Sequence, residues 1–153
     1  MGYRANCIIT HFDDDKNFNK VLENSFKHTI IKSFIHPFKG IIALINIYDI
    51  MNDFLEGKNK YGFSEEEDLY SYICYYIEDN LPEFSKKYPT KLFVYIDADC
   101  AGGTCMYNGY TIKNGEKIIE EKLDHHSHIK LLQQISPSFN EWFFEPFTRN
   151  FFN

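Results

Sequence analysis

Arginine is nearly absent from this 153-residue chain: Arg4 and Arg149 are the two it has, and Lys and Arg together number 16 against 22 Asp and Glu. The nearest thing to a basic run is Lys58, Lys60 and the pair Lys86–Lys87. Nucleic-acid binding draws its affinity from clusters of Lys and Arg on phosphates, so this composition excludes a phosphate-tracking surface. Cysteine is sparse too. Four residues, Cys7, Cys74, Cys100 and Cys105, are far too few for a disulfide scaffold. The opening Met1-Gly2-Tyr3-Arg4 lacks an apolar signal region, and Asn6 stands where a myristoylation start wants Ser or Thr. The expectation is a cytoplasmic protein with reduced thiols. No hydrophobic run is long, since Gly40–Ile45 breaks at Asn46 and Asp49, short of a membrane span. Repeats, low-complexity tracts and linker-like segments are missing as well, so 1–153 reads as a single domain.

What is present is a core and a surplus of aromatics. Hydrophobic residues make up 44 % of the chain and charged residues 25 %, which suits one well-buried globular domain. Fifteen Phe, eleven Tyr and one Trp raise the aromatic share to 18 %. The net charge is −6, with acidic clusters at 13–15, 65–68 and 120–124. Such a surface attracts a basic partner and repels an acidic one. It also keeps a small domain soluble with no partner at all.

Periodicity outlines an α+β fold. Residues 3–12 read as a first strand, and the acids Asp13, Asp14 and Asp15 favour a helix start. Phe18, Val21, Leu22, Ser25, Phe26, Thr29 and Ile30 recur at three- and four-residue steps, which predicts a helix running to Ile31. His36-Pro37 interrupts the chain. Residues 41–56 read as a buried helix ending at Gly57, with a strand at its start as the competing reading. Ser64 and Glu67 form a capping box for a helix showing Leu69, Tyr72, Ile73, Tyr76 and Ile77 on one face and stopping near Leu81-Pro82 or shortly beyond. Lys91–Ala98, Thr104–Ile112 and Glu116–Leu123 read as a three-stranded antiparallel meander, with Asn114-Gly115 a type I′ turn. Asp124 then caps a C-terminal helix over 125–135. The whole is one layer-packed domain.

Four segments carry candidate chemistry. Asp97-Ala98-Asp99 at the end of an apolar strand resembles, over about eight residues, the Asp-x-Asp of haloacid-dehalogenase-like phosphatases and of nucleotide-sugar glycosyltransferases. That likeness implies a divalent metal held by the two carboxylates. The chain departs from the phosphatase pattern at Cys100-Ala101, and both families want a parallel sheet where this chain has a meander. The plainer reading is a strand entering a polar hairpin loop. In Cys100-Ala101-Gly102-Gly103-Thr104-Cys105 the gap is wrong for Cys-x-x-Cys chemistry, and Gly102-Gly103 can turn the hairpin with the two cysteines flanking it. Cys100 is expected to be accessible, Cys7 and Cys74 protected. Asp124-His125-His126-Ser127-His128 offers at most two metal ligands from one helix face, His125 and His128, or solvated histidines. Finally Phe139, Trp142, Phe143, Phe144, Phe147, Phe151 and Phe152 form an aromatic tail that cannot all face inward, which makes it core, interface or both.

A small, acidic, Arg-poor chain with a Lys, Asn, Ile, Phe and Tyr bias matching an AT-rich coding sequence resembles bacterial toxin-immunity proteins in size, charge and origin. The resemblance implies a non-catalytic protein-binding module that binds and neutralises a basic toxin domain. Carboxylates would steer and aromatics anchor. The contact residues this assigns are Asp97, Asp99, Glu65, Glu66, Tyr70, Tyr75, Trp142 and Phe144, with no catalytic residue, no metal and no cofactor. A homodimer through the same aromatics is a further expectation. The alternative is a metal-dependent hydrolase or transferase using Asp97 and Asp99 with Cys100, or with His125 and His128.

Overall fold

Among the described residues six strands join one antiparallel sheet, most of them rich in β-branched and aromatic side chains. The computed structural model describes residues 3–27, 29–46, 52, 56, 69–148 and 151–152; of Tyr3, Leu69 and Tyr70 it describes the backbone alone. The strands are β1 (Tyr3–His11), β2 (Thr29–Phe34), β3 (Gly40–Ile45), β4 (Phe93–Ala101), β5 (Thr104–Lys113) and β6 (Glu116–Asp124). Their order across the sheet is β2-β3-β1-β4-β5-β6, so β1 lies inside, between β3 and β4. The helices are α1 (Lys16–Ser25), α2 (Leu69–Lys87) and α3 (Ser127–Gln133), followed by a 3-10 turn at Glu145–Phe147. The fold is α+β.

Period-two alternation gives the sheet two apolar faces, each with its own core. On one face Ile8, Ile41, Ala43, Phe93, Tyr95, Tyr110 and Ile112 meet α1 and α2 through Phe18, Leu22, Ile73, Ile77, Leu81 and Phe84. On the other, Ala5, Cys7, Ile9, Ile42, Val94, Ile96 and Ala98 meet α3 and the aromatic tail through Leu131, Leu132, Phe139, Phe144 and Phe147. Burying one such Phe contributes about 1.5–3 kcal/mol, so the tail is a main component of the second core.

The meander and its Asn114-Gly115 turn agree with the sequence reading, with φ of 50° and 81° at the two turn residues, the positive pair that type I′ requires. Three readings do not hold. The helix predicted to reach Ile31 ends at Ser25, where the Phe26 N–H bonds the Leu22 carbonyl, and Thr29–Phe34 become β2. The predicted helix over 41–56 begins instead as β3, which leaves the competing strand reading correct there; most of 46–56 and the capping box at Ser64 lie outside the described residues. Asp124 closes β6, and His126 holds the cap position of α3. Pro82 lies within α2, which continues to Lys87.

Candidate functional site

Asp97 and Asp99 sit on the α2 face of the sheet, because Phe93 and Tyr95 point that way and alternation carries the pattern on. Asp97 is buried and already committed. The Arg4 guanidinium grips it with two bonds, Nε to Oδ1 at 3.0 Å and Nη2 to Oδ2 at 2.7 Å. Such a fork leaves the carboxylate little to offer a metal or a partner. Beside it the Tyr95 hydroxyl donates to Asn6 Oδ1 at 2.8 Å, and the Cys74 thiol lies 3.6 Å from the same hydroxyl. Burial pushes the Tyr95 hydroxyl well above its ordinary range, with Cys74 and Asp97 adding to the effect. Asp97 is therefore buried in an ion pair with Arg4, away from the exposed surface where a partner contact was expected of it. Asp99 remains exposed.

The histidines are on the opposite face. His128 is fully buried, its ring tilted by 37° against the Tyr107 ring at 4.0 Å between centroids, and its Nε2–H donates to the Glu141 carbonyl at 3.0 Å. Burial lowers its pKa to about 4, so it is neutral at pH 7. It is a core residue, not the solvated or ligating one the sequence suggested. The sheet lies between it and Asp97, so the set Asp97, Asp99, His125 and His128 cannot converge on one ion. Among the described residues no group of three or more His, Cys, Asp or Glu is placed to hold a metal.

What the structure does bring together is at the β4–β5 hairpin tip. Cys100 and Cys105 are directly paired across the strands and joined in a disulfide, which overturns the reduced-thiol expectation for this pair. Gly102 and Gly103 turn the chain at φ of 61° and 83°, as two small residues in that position allow. Cys7 is buried and Cys74 partly so, as expected; burial pushes both thiols upward. His125 Nδ1–H donates to the Cys105 carbonyl at 2.8 Å. That bond brings the start of α3 against the hairpin. His126 then packs edge-on to Trp142 at 4.7 Å, and its Nδ1 lies 4.0 Å from Asp124.

Between these groups lies a cavity of about 380 Å3, walled by Cys105, Tyr107, His125, His126, Trp142 and Phe143, with Gly103 and Thr104 at the turn. Trp142 is 75 % exposed and Phe143 59 % exposed. Phe144, next in sequence and expected at the contact surface, is fully buried against Phe34 and Phe147 in the second core. Tyr75 is half-exposed on α2, on the far side of the sheet from Trp142. Glu65 and Glu66 lie outside the described residues, as does the Tyr70 side chain. The sequence singled out Trp142, and it named Cys105, Phe143 and His126 without joining them to it. The signal that could have done so is the hairpin register, which sets Cys105 and Tyr107 on the α3 face.

Compared with family models, curated proteins and solved structures, the chain matches none. No helix among the described residues is long and apolar enough to cross a membrane.

Proposed function

We propose that this protein is a non-catalytic binding module that docks a basic protein through the Trp142 platform, in the manner of an immunity protein neutralising a bacterial toxin. The observation that carries this reading is the exposure of Trp142 and Phe143 side by side at the mouth of a cavity. Leaving two large aromatics in water forgoes burial that their neighbour Phe144 achieves, and contiguous exposed apolar surface marks an interaction site. Trp is also the residue that most often dominates a protein interface. The net charge of −6 supplies the sign of the partner, with Asp124 and Glu141 exposed beside the platform. A cytoplasmic location belongs to the same proposal.

The metal-dependent alternative loses support from the Arg4 fork on Asp97 and from the sheet that separates the carboxylates from His128. The test is neutralisation. The purified protein is mixed with each candidate basic toxin domain, chosen by inspecting the genes around its own, and toxin activity and binding heat are measured; a panel in which none is bound or neutralised would overturn the reading. A Trp142→Ala, Phe143→Ala double variant should weaken binding at least a hundredfold while its melting temperature stays put. Undiminished neutralisation by that variant would remove the platform from the account. A second copy of the chain on the same surface would appear as a dimer that the double variant dissolves.

A further inference from the structure

We infer that the Cys100–Cys105 disulfide is a thiol-exchange site, at which a small thiol of the glutathione class enters by the Trp142 cavity and attacks Sγ of Cys105. The inference is independent of the partner-binding reading.

Three observations carry it. First, the cross-link closes a loop of only Ala101 to Thr104, which the Gly102-Gly103 turn already closes. A disulfide constrains the unfolded chain most when its loop is long, so this one is poorly placed as a staple. Second, both sulphur-bearing residues are partly exposed, and Ala101 to Thr104 are exposed throughout. Accessible disulfides are the ones that exchange with small thiols. Third, Cys105 walls the cavity of about 380 Å3 and Cys100 does not, so an incoming thiolate meets Cys105 first. His125, bonded to the Cys105 carbonyl, holds that residue against the opening.

The exchange balances as two thiol steps. A thiolate forms a bond to Cys105 Sγ; the Cys105–Cys100 bond breaks, and its electron pair leaves on Cys100 Sγ, which takes a proton from water. A second small thiol attacks the mixed disulfide, releasing the oxidised small-molecule disulfide and leaving both cysteines as thiols. Oxidised glutathione runs the sequence backwards. The remaining cysteines cannot divert it, since Cys7 is buried in the second core and Cys74 lies across the sheet. Because the hairpin tip is one wall of the cavity, reduction alters the surroundings of Trp142, the chain's single tryptophan.

The test treats native protein with reduced glutathione, quenches early with acid and maps the mixed disulfide by mass spectrometry. Glutathione should be found on Cys105 at least ten times more often than on Cys100. Trp142 emission should rise on reduction and fall back on reoxidation, with the far-ultraviolet dichroism unchanged. As a second measure, oxidised glutathione should add to Cys100→Ser at least ten times faster than to Cys105→Ser. Equal or reversed labelling would overturn the assignment of the attacked sulphur. A reduction rate that merely tracks global unfolding across a urea series would overturn the site itself.

Discussion

At the scale of single residues, two buried polar groups set the largest expected responses. Arg4 holds Asp97 by two charge-assisted bonds, so Asp97→Asn removes a buried carboxylate charge from the guanidinium and weakens that fork. We expect a loss of about 2 kcal/mol in a urea titration, short of the cost at a fully buried pair because Arg4 keeps some solvent. Neutralisation per folded molecule should not change, and a loss there would return Asp97 to the contact surface. His128 gives the pH dependence. Folded, it stays neutral down to about pH 4, whereas the unfolded imidazole takes its proton near 6.5. The stability it contributes is therefore complete above about pH 6.5 and drains as pH falls from there to about 4, by about 3 kcal/mol at most. His128→Gln cannot titrate, so its stability curve over that window should be flatter than that of the native protein by this amount. Parallel curves would mean that the folded imidazole takes its proton over the same range as the unfolded one, so that burial does not lower its pKa.

Among the elements, β5 depends on one glycine. A Cβ on Gly109 would lie 1.9 Å from the Tyr95 carbonyl oxygen on β4, and backbone on both sides cannot retreat. Gly109→Ala should cost more than about 2 kcal/mol, by strain in the sheet; a melting temperature within a degree or two of the native value would contradict the close approach. Element boundaries show where sequence reasoning succeeds and where it stops. The meander was legible because Leu92, Val94, Ile96 and Ala98 alternate cleanly and Asn114-Gly115 sets the register of β6 against β5. β2 was not, because Phe26, Thr29 and Ile30 satisfy a helical period as well as an extended one. The choice is made by tertiary pairing: Ile31 sits opposite Ala43, a partner that no local window contains. β3 was ambiguous for the same reason, being apolar on both faces. The site was half legible. Trp142 stood out by type, but its exposure results from Phe139, Phe144 and Phe147 occupying the inward positions around it, which is a property of packing.

For the molecule as a whole, the −6 charge predicts kinetics more than affinity. If carboxylates steer a basic partner, its association rate should fall as salt is raised from ~0.01 to ~0.15 M, where the Debye length shrinks from about 30 to about 8 Å. Stopped-flow mixing reads this directly, and a flat response would leave the aromatics to act without electrostatic help. The two cores lie on opposite faces of the sheet and should respond separately to substitution: Phe84→Ala and Leu132→Ala should add in their destabilisation to within about 0.5 kcal/mol. The position of β1 also matters for synthesis. It is made before both of its partners, which begin at Gly40 and Phe93, so its pairing with β4 waits for some ninety residues of chain. At about 5–20 residues per second that is roughly 5–20 s during which Ile8 and Ile9 have no complete sheet to enter. Expression yield should therefore rise with a chaperone that shields short apolar segments, and slowed translation between residues 40 and 93 should send more of the chain into aggregates.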